Sequence, residues 1–239
     1  MEIRWLGHSA FEIISDDDVK ILIDPFISNN PACQIPVEEI NPDIILLTHG
    51  HSDHVGDALE ISNRTNAPIA CIHEISLFLA KQGIRNIGVN IGGSFVYHNI
   101  KFTMLEAKHS SAIDMVEEIV PGGEAAGFLI TFEDGTSIYH CGDTGLFGDM
   151  KDIVGAIYKP DVVLVPIGDK FSMGPFEAAL ASMWMNPKVV IPMHYNTFPP
   201  IEQDPAIFAN FVSQFNPNID VVVMNPEEYF EYIPEDYQD

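Results

Sequence analysis

Basic residues are scarce in this sequence. Its 239 residues include 11 lysines and arginines against 35 aspartates and glutamates, which gives a formal net charge of −24. So acidic a chain repels phosphate backbones and anionic lipid headgroups unless a local basic patch offsets the charge. The nearest approach to such a patch runs from Lys101 to Lys108 and is interrupted by Glu106. We therefore expect no nucleic-acid partner and no membrane partner.

Cysteines are also few, and long apolar runs and low-complexity segments are absent. The three cysteines, Cys33, Cys71 and Cys141, are widely spaced and odd in number, which argues against a disulfide framework. The N-terminus lacks the basic stretch and apolar run of a signal peptide, and no apolar stretch approaches the roughly 18 residues of a membrane span. These features predict a soluble cytoplasmic protein, with a homo-oligomer left open.

An internal repeat organises the chain. Two strand patterns surround a polar turn at Phe11–Ile14 and Lys20–Asp24, and the same pattern recurs about 120 residues later at Phe128–Thr131 and Ser137–Asp143. The apolar strands that follow also have counterparts, Ile44–Leu47 with Val162–Val165 and Ala67–His73 with Pro187–His194. The repeat predicts two related halves of a single domain, about residues 1–120 and 121–239.

Helical patterns lie between these strands. Val55–Arg64 and Glu74–Gln82 are moderately periodic, and further helices are predicted to begin near Pro175 and Pro205. Strands that are apolar throughout need cover on both faces. The sequence therefore predicts an α/β fold, in which two sheets and their outer helices form a four-layer αββα sandwich.

The strongest chemical signal is the segment Thr48-His49-Gly50-His51-Ser52-Asp53-His54, which directly follows the apolar strand Ile44–Leu47. Imidazole and carboxylate groups clustered in one loop suit zinc or another borderline divalent ion. The small residues at positions 50 and 52 allow the loop to fold tightly around a metal. The alternative interpretation is a polar turn that happens to be rich in histidine.

This segment resembles the H-x-H-x-D-H signature of the metallo-β-lactamase superfamily, whose fold is an αββα sandwich of two duplicated halves. The resemblance covers nearly the whole chain, because further segments follow in the family's order: Leu22–Pro25, His109, Gly142–Gly145 and Met193–Asn196. Within the superfamily, Leu6–Phe11 and Pro192–Phe198 are similar to small metal-dependent hydrolases related to ascorbate-6-phosphate lactonase. The resemblance implies two divalent metal ions, with zinc expected first and manganese or iron as alternatives.

The resemblance also assigns site residues. The first metal would be held by His49, His51 and His109, the second by Asp53, His54 and His194, and both by the bridging carboxylate of Asp143. Asp24 would accept a hydrogen bond from a ligand histidine, with a turn-forming role before Pro25 as the alternative. His8 and His140 border the motifs. For each of them three roles are open: it hydrogen-bonds to a metal ligand, it contacts the substrate, or it is a structural histidine.

The implied reaction is attack by a hydroxide that bridges the two metals on a small ester or lactone. Asp53 would orient this hydroxide and pass a proton to the leaving group. Tyr195 would donate a hydrogen bond to the developing oxyanion, with core packing as its alternative role. A rim that contains Phe171, Met173 and Phe198 favours a small-molecule substrate.

Three other functions use the same donor set. A phosphodiesterase or RNA-processing nuclease is the main alternative, and the scarcity of basic residues disfavours it. A di-iron redox protein is a second alternative, but the di-iron members of the superfamily carry glutamate where this chain has His51. A metal-binding module without catalysis is the third, and it conflicts with the intact ligand pattern.

Overall fold

The computed structural model describes residues 1–115 and 117–234. These residues form two compact units. The first unit contains Met1–Asn90, Ser111–Glu124 and the segment from Met224 onward, and the second contains Ile91–Ser110 and Ala125–Val223. The single domain and its boundary near residue 120 stay predictions.

Both units contain strands and helices. The strands are β1 (Glu2–Trp5), β2 (Phe11–Ile14), β3 (Lys20–Ile23), β4 (Ile44–Leu46), β5 (Ile69–Ile72), β6 (Asn86–Val89), β7 (Ser94–Tyr97), β8 (Ile100–Glu106), β9 (Ala112–Ile113), β10 (Val120–Pro121), β11 (Ala126–Thr131), β12 (Ser137–His140), β13 (Val162–Pro166), β14 (Val189–Met193), β15 (Asp220–Val221) and β16 (Tyr229–Glu231). The α-helices are α1 (Ser52–Val55), α2 (Ala58–Thr65), α3 (His73–Lys81), α4 (Pro175–Met185) and α5 (Pro205–Phe215). Short 3₁₀ helices span Val37–Glu39 and Pro199–Ile201, and a π-helix spans Met150–Tyr158.

The first unit is built on a seven-stranded sheet with the order β16-β1-β2-β3-β4-β5-β6. The strands from β16 to β3 pair antiparallel, and those from β3 to β6 pair parallel. The antiparallel pair of β9 and β10 also belongs to this unit.

The second unit has a seven-stranded sheet with the order β15-β14-β13-β12-β11-β8-β7. Its strands pair antiparallel from β7 to β12 and parallel from β12 to β15. In each sheet an antiparallel hairpin, β2–β3 or β11–β12, leads into two parallel strands, β4–β5 or β13–β14. This shared strand order confirms the predicted repeat.

The central parallel strands place the polar residues of the motifs. Every side chain of β4 and β13 is buried, which explains why both strands are apolar throughout. Asp24 directly follows β3, Thr48 follows β4 by two positions, and His194 directly follows β14. Because the carboxyl ends of parallel neighbours lie at one edge of a sheet, each sheet gathers its own candidate residues at that edge.

Two of the helices begin at the prolines that predicted their starts. Helices α4 and α5 begin at Pro175 and Pro205, as predicted, and the carboxylate of Asp204 accepts the N–H of Ala206 at 2.9 Å. The stretch predicted as one helix from Val55 to Arg64 is wrong in its start, because Gly56, with a φ of 43°, ends α1 before α2 begins. The π-helix was not predicted. No helix in residues 1–115 and 117–234 is long and apolar enough to cross a membrane.

Candidate metal centre

The histidine-rich loop lies between β4 and α1 in the first unit. It packs so closely on a neighbouring segment that a Cβ atom at Gly50 would lie 2.7 Å from the carbonyl oxygen of Ala112. The Oγ atom of Ser111 accepts the N–H of Gly50 at 3.3 Å, and Asp114 accepts the N–H of Ser52 at 2.7 Å. Any side chain at position 50 would therefore collide with the backbone of Ala112, so this position requires glycine.

The carboxylate of Asp24 is completely buried beside this loop. Its oxygens accept the N–H of Thr48 at 2.8 Å and the hydroxyl of Thr48 at 2.6 Å, and Oδ2 lies 2.7 Å from Nδ1 of His54. Because an ionised carboxylate only accepts hydrogen bonds, a neutral His54 carries its proton on Nδ1. Asp24 thus holds His54 in the tautomer whose Nε2 has a lone pair for a metal.

Thr48 extends this control to His49. The threonine hydroxyl has one proton, which it donates to Asp24, so its oxygen accepts the Nδ1–H of His49 at 3.0 Å. The Nε2 atom of His49 is then unprotonated and lies 2.9 Å from Nδ1 of His51. This role of Thr48 was not predicted, although the hydroxyl directly before the first histidine was a signal for it.

The donor atoms of the first unit fit a divalent metal ion. Zinc–nitrogen bonds of about 2.0–2.1 Å in a tetrahedral site place two imidazole nitrogens roughly 3.3 Å apart, which is near the 2.9 Å between His49 and His51. Donor atoms of Asp24, His49 and His54 lie within 4.8 Å of one another, as do those of His8, Asp53 and His54. The chemistry of this donor set suits the predicted metals, and the individual ligand assignments stay predictions.

His8 contacts the most accessible carboxylate of the predicted site. Its Nε2 lies 3.2 Å from Oδ2 of Asp53, and the side chains of His8 and Asp53 are 1 % and 36 % exposed. The indole N–H of Trp5 donates to the carbonyl of His8 at 3.0 Å and fixes the turn that presents it. His8 is therefore placed to orient Asp53 or to serve as a further donor beside it. Trp5 was not among the residues found from the sequence.

The second unit brings together the remaining three predicted ligands. The Nε2 atoms of His194 and His109 lie 3.0 Å and 3.7 Å from the same oxygen, Oδ2 of Asp143. The side chains of Asp143 and His194 are almost completely buried, and that of His109 is 14 % exposed. Two imidazoles that converge on one carboxylate oxygen also form a donor set that fits a divalent metal.

His140 and Tyr195 lie next to these residues in the chain. His140 is buried, and its Nδ1 accepts the N–H of Gly142 at 3.1 Å, so this ring shapes the turn that leads to Asp143. Tyr195 is also buried, and burial raises the pKa of its hydroxyl to about 12. Of the three residues expected at the rim of the pocket, Phe171 is exposed, Phe198 is half-buried and Met173 is buried.

Three candidate residues have a left-handed backbone. The φ angles of His8, Asp24 and His194 are 56°, 45° and 55°. Residues other than glycine rarely adopt this left-handed backbone conformation, because it costs them roughly 1–2 kcal/mol each. Such conformations persist where the surrounding structure enforces them, and they concentrate at functional sites.

A comparison with protein families identifies the fold. Residues 2–194 match the model of the β-lactamase superfamily domain. The chain belongs to the β-lactamase superfamily. The membership predicted from the H-x-H-x-D-H segment is thereby confirmed, and so is the predicted fold class.

Individual relatives within this superfamily are similar over their full length. The chain is 77% identical over 239 residues to a protein of Methanobrevibacter smithii named UPF0173 metal-dependent hydrolase, covering 100% of both chains. It is 54% identical to a protein of the same name from Methanosphaera stadtmanae, covering 97% of this chain and 100% of the relative. This superfamily member thus belongs to the UPF0173 group, whose proteins are named metal-dependent hydrolases.

A solved structure supports the same placement. The structure of Igni18, described as a novel metallo hydrolase from the hyperthermophilic archaeon Ignicoccus hospitalis, superposes with a TM-score of 0.86 at 40% sequence identity. The superposition covers 97% of this chain and 99% of Igni18. The fold of this metallo hydrolase therefore extends over nearly the whole chain.

Proposed function

We propose that the protein is a metal-dependent hydrolase that cleaves a small ester or lactone. The observation that carries the proposal is the buried network in which Asp24 sets the tautomer of His54 directly and that of His49 through Thr48. A buried network of this kind prepares neutral imidazole nitrogens for a metal before the metal arrives. The names of the UPF0173 relatives agree with a metal-dependent hydrolase.

The proposed cofactors are two divalent metal ions, zinc first and manganese or iron as alternatives. The family pattern takes four ligands from the histidine-rich loop and three from the second unit: His49, His51, Asp53 and His54, then His109, Asp143 and His194. When bound, such ions lower the pKa of water and polarise the carbonyl of the substrate.

Side chains of the protein would orient the reacting groups and transfer a proton to the leaving group. Among the three carboxylates of the site, Asp24 and Asp143 are buried, and only Asp53 is exposed enough to exchange a proton with water and the leaving group. His8 would keep the Asp53 carboxylate in one orientation from the protein interior. The hydroxyl of Tyr195 would donate a hydrogen bond to the oxygen that gains negative charge.

The charges near the second unit's ligands favour a substrate without phosphates. Lys108 directly precedes His109, but its ammonium group contacts the carboxylate of Glu106, so that cation is compensated. The exposed ring of Phe171, whose centre lies 5.4 Å from the ammonium group of Lys170, offers an apolar surface. These features support a small uncharged ester or lactone over a phosphodiester or nucleic acid.

A substrate panel tests the proposal. The metal-loaded protein is assayed with lactones, aryl esters, a diaryl phosphodiester, and single- and double-stranded RNA. We expect kcat/KM for a lactone or ester to exceed that for the phosphodiester by about 100-fold or more, and Asp53→Asn to lower kcat by about 100-fold. Asp17→Asn, an exposed carboxylate in the β2–β3 turn, is the matched control.

Each other result of the panel contradicts part of the proposal. A preference for the phosphodiester or for RNA would replace it with the nuclease alternative. Bound metal without turnover of any substrate would favour a metal-binding module. Equal kcat for Asp53→Asn and the unchanged protein would remove Asp53 from proton transfer.

A further inference from the structure

The second unit contains a cavity with a volume of about 200 Å³ that the proposed reaction does not use. It lies between the π-helix, the end of β8 and the Phe147–Asp149 segment. Leu105 and Val154 form buried apolar walls, and Phe147 and Tyr158 contribute aromatic rings. An engineered apolar cavity of about 150 Å³ already holds benzene, so this volume accommodates a body of the size of a phenyl ring.

The charged residues of the cavity all have the same sign. Glu106 and Asp149 contribute carboxyl groups, and no lysine, arginine or histidine is among the lining residues described. Carboxylates at the edge of an apolar site favour an ammonium group, because a charge-assisted hydrogen bond and the low local dielectric act together.

A cation already lies at this edge. The ammonium group of Lys108 contacts the carboxylate of Glu106 and lies 5.9 Å from the centre of the Phe147 ring. This distance is within the range of cation–π attraction. One lysine balances one of the two carboxylates, so Asp149 supplies charge that a bound cation would neutralise.

We propose that this cavity binds a small organic ammonium ion with an apolar body about the size of a phenyl ring. The ring would fill the space between Leu105 and Val154, and the ammonium group would lie near Asp149. The site is separate from the proposed metal ligands in its composition, because none of the predicted ligands is among its lining residues.

Benzylamine and benzyl alcohol are suitable probes, because they have similar shapes and differ in charge at pH 7. Binding to the metal-loaded protein is measured by titration calorimetry and by saturation-transfer NMR. We expect saturable binding of benzylamine and binding of benzyl alcohol that is about tenfold weaker or more, the effect of losing one charge-assisted contact. Asp149→Asn should weaken the binding of benzylamine by about fivefold to tenfold and leave the binding of benzyl alcohol unchanged.

A pair of variants on the π-helix locates the site. Ile153 lines the cavity, so Ile153→Trp should fill it and abolish binding of both probes. Ile157 is 67% exposed and is not among the lining residues, so Ile157→Trp should bind benzylamine as the unchanged protein does. Because Asp149 is exposed, its variant tests the charge even if Ile153→Trp fails to fold.

Three results would overturn the proposal. They are equal affinities for benzylamine and benzyl alcohol, undiminished benzylamine binding by a folded Ile153→Trp, and no saturable benzylamine binding at all. Benzylamine that binds by ligating a metal would still bind to Ile153→Trp, which separates that outcome from occupancy of the cavity.

Discussion

The Nδ1 atom of His54 lies 2.7 Å from Oδ2 of Asp24, and both side chains are completely shielded from solvent. In this position the carboxylate selects one imidazole tautomer and also satisfies the N–H and hydroxyl of Thr48. Removal of any member would leave a buried polar group without its bond, which is costly in the interior. The network therefore links stability of the loop to affinity for a metal.

Asp24→Asn is expected to weaken metal binding by about 10- to 100-fold, because an amide cannot accept hydrogen bonds at both of its terminal atoms. Competition with a chromophoric chelator measures the affinity. Asp43→Asn is a matched control, since Asp43 accepts the N–H of Lys20 at 2.8 Å and directly precedes β4, whereas the histidine-rich loop follows the other end of that strand. Unchanged metal affinity of Asp24→Asn would contradict the role of the network.

Thr48→Val removes the hydroxyl that joins Asp24 to His49 while it keeps a similar volume. We expect about tenfold weaker metal binding and a His49 ring that populates both tautomers, which ¹⁵N NMR of the imidazole detects. Thr48→Ser keeps the hydroxyl and should retain most of the affinity. If Thr48→Val and Thr48→Ser bind metal equally well, the relay through Thr48 does not exist.

Gly50→Ala introduces a Cβ atom 2.7 Å from the carbonyl oxygen of Ala112 and should displace the loop. We expect the free energy of unfolding to fall by about 1–3 kcal/mol, measured by denaturant titration, with weaker metal binding. Gly148→Ala is the control, because nothing lies within 4 Å of a Cβ atom there. Equal stability of the two variants would show that the loop tolerates the side chain.

His8→Asn should lower kcat by about tenfold or more while both metals stay bound, because Asp53 would lose the group that orients it. The test combines steady-state kinetics with metal analysis of the same sample. His98→Asn is matched in backbone conformation, with a φ of 47° at His98 against 56° at His8, and His98 is exposed. Loss of a metal from His8→Asn would instead show that His8 contributes to metal binding, directly or through Asp53, and not to proton transfer alone.

Much of the fold could be predicted, because its signals are local. The polar turns inside the β2–β3 and β11–β12 hairpins, the apolar runs of β4 and β13, and the prolines at the starts of α4 and α5 all act through neighbouring residues. The order of the candidate ligands along the chain could be predicted for the same reason. Their resemblance to a family motif then assigned them roles.

The remaining features depend on residues distant in sequence. The π-helix Met150–Tyr158 does not follow the 3.6-residue period, and Gly155 within it is needed because a Cβ atom there would collide with the carbonyl oxygen of Trp184. Gly50 is fixed by Ala112 in the same way. The relay from Asp24 through Thr48 to His49 also requires two strand ends to lie side by side, which the sequence alone does not show.

Metal analysis of protein purified without added metal tests the central claim most directly. We predict about two equivalents of zinc, manganese or iron per chain, with hydrolysis that a chelator abolishes and the same metal restores. Protein with less than about 0.1 equivalents of any such metal, and with hydrolysis that a chelator leaves unchanged, would contradict a metal-dependent hydrolase.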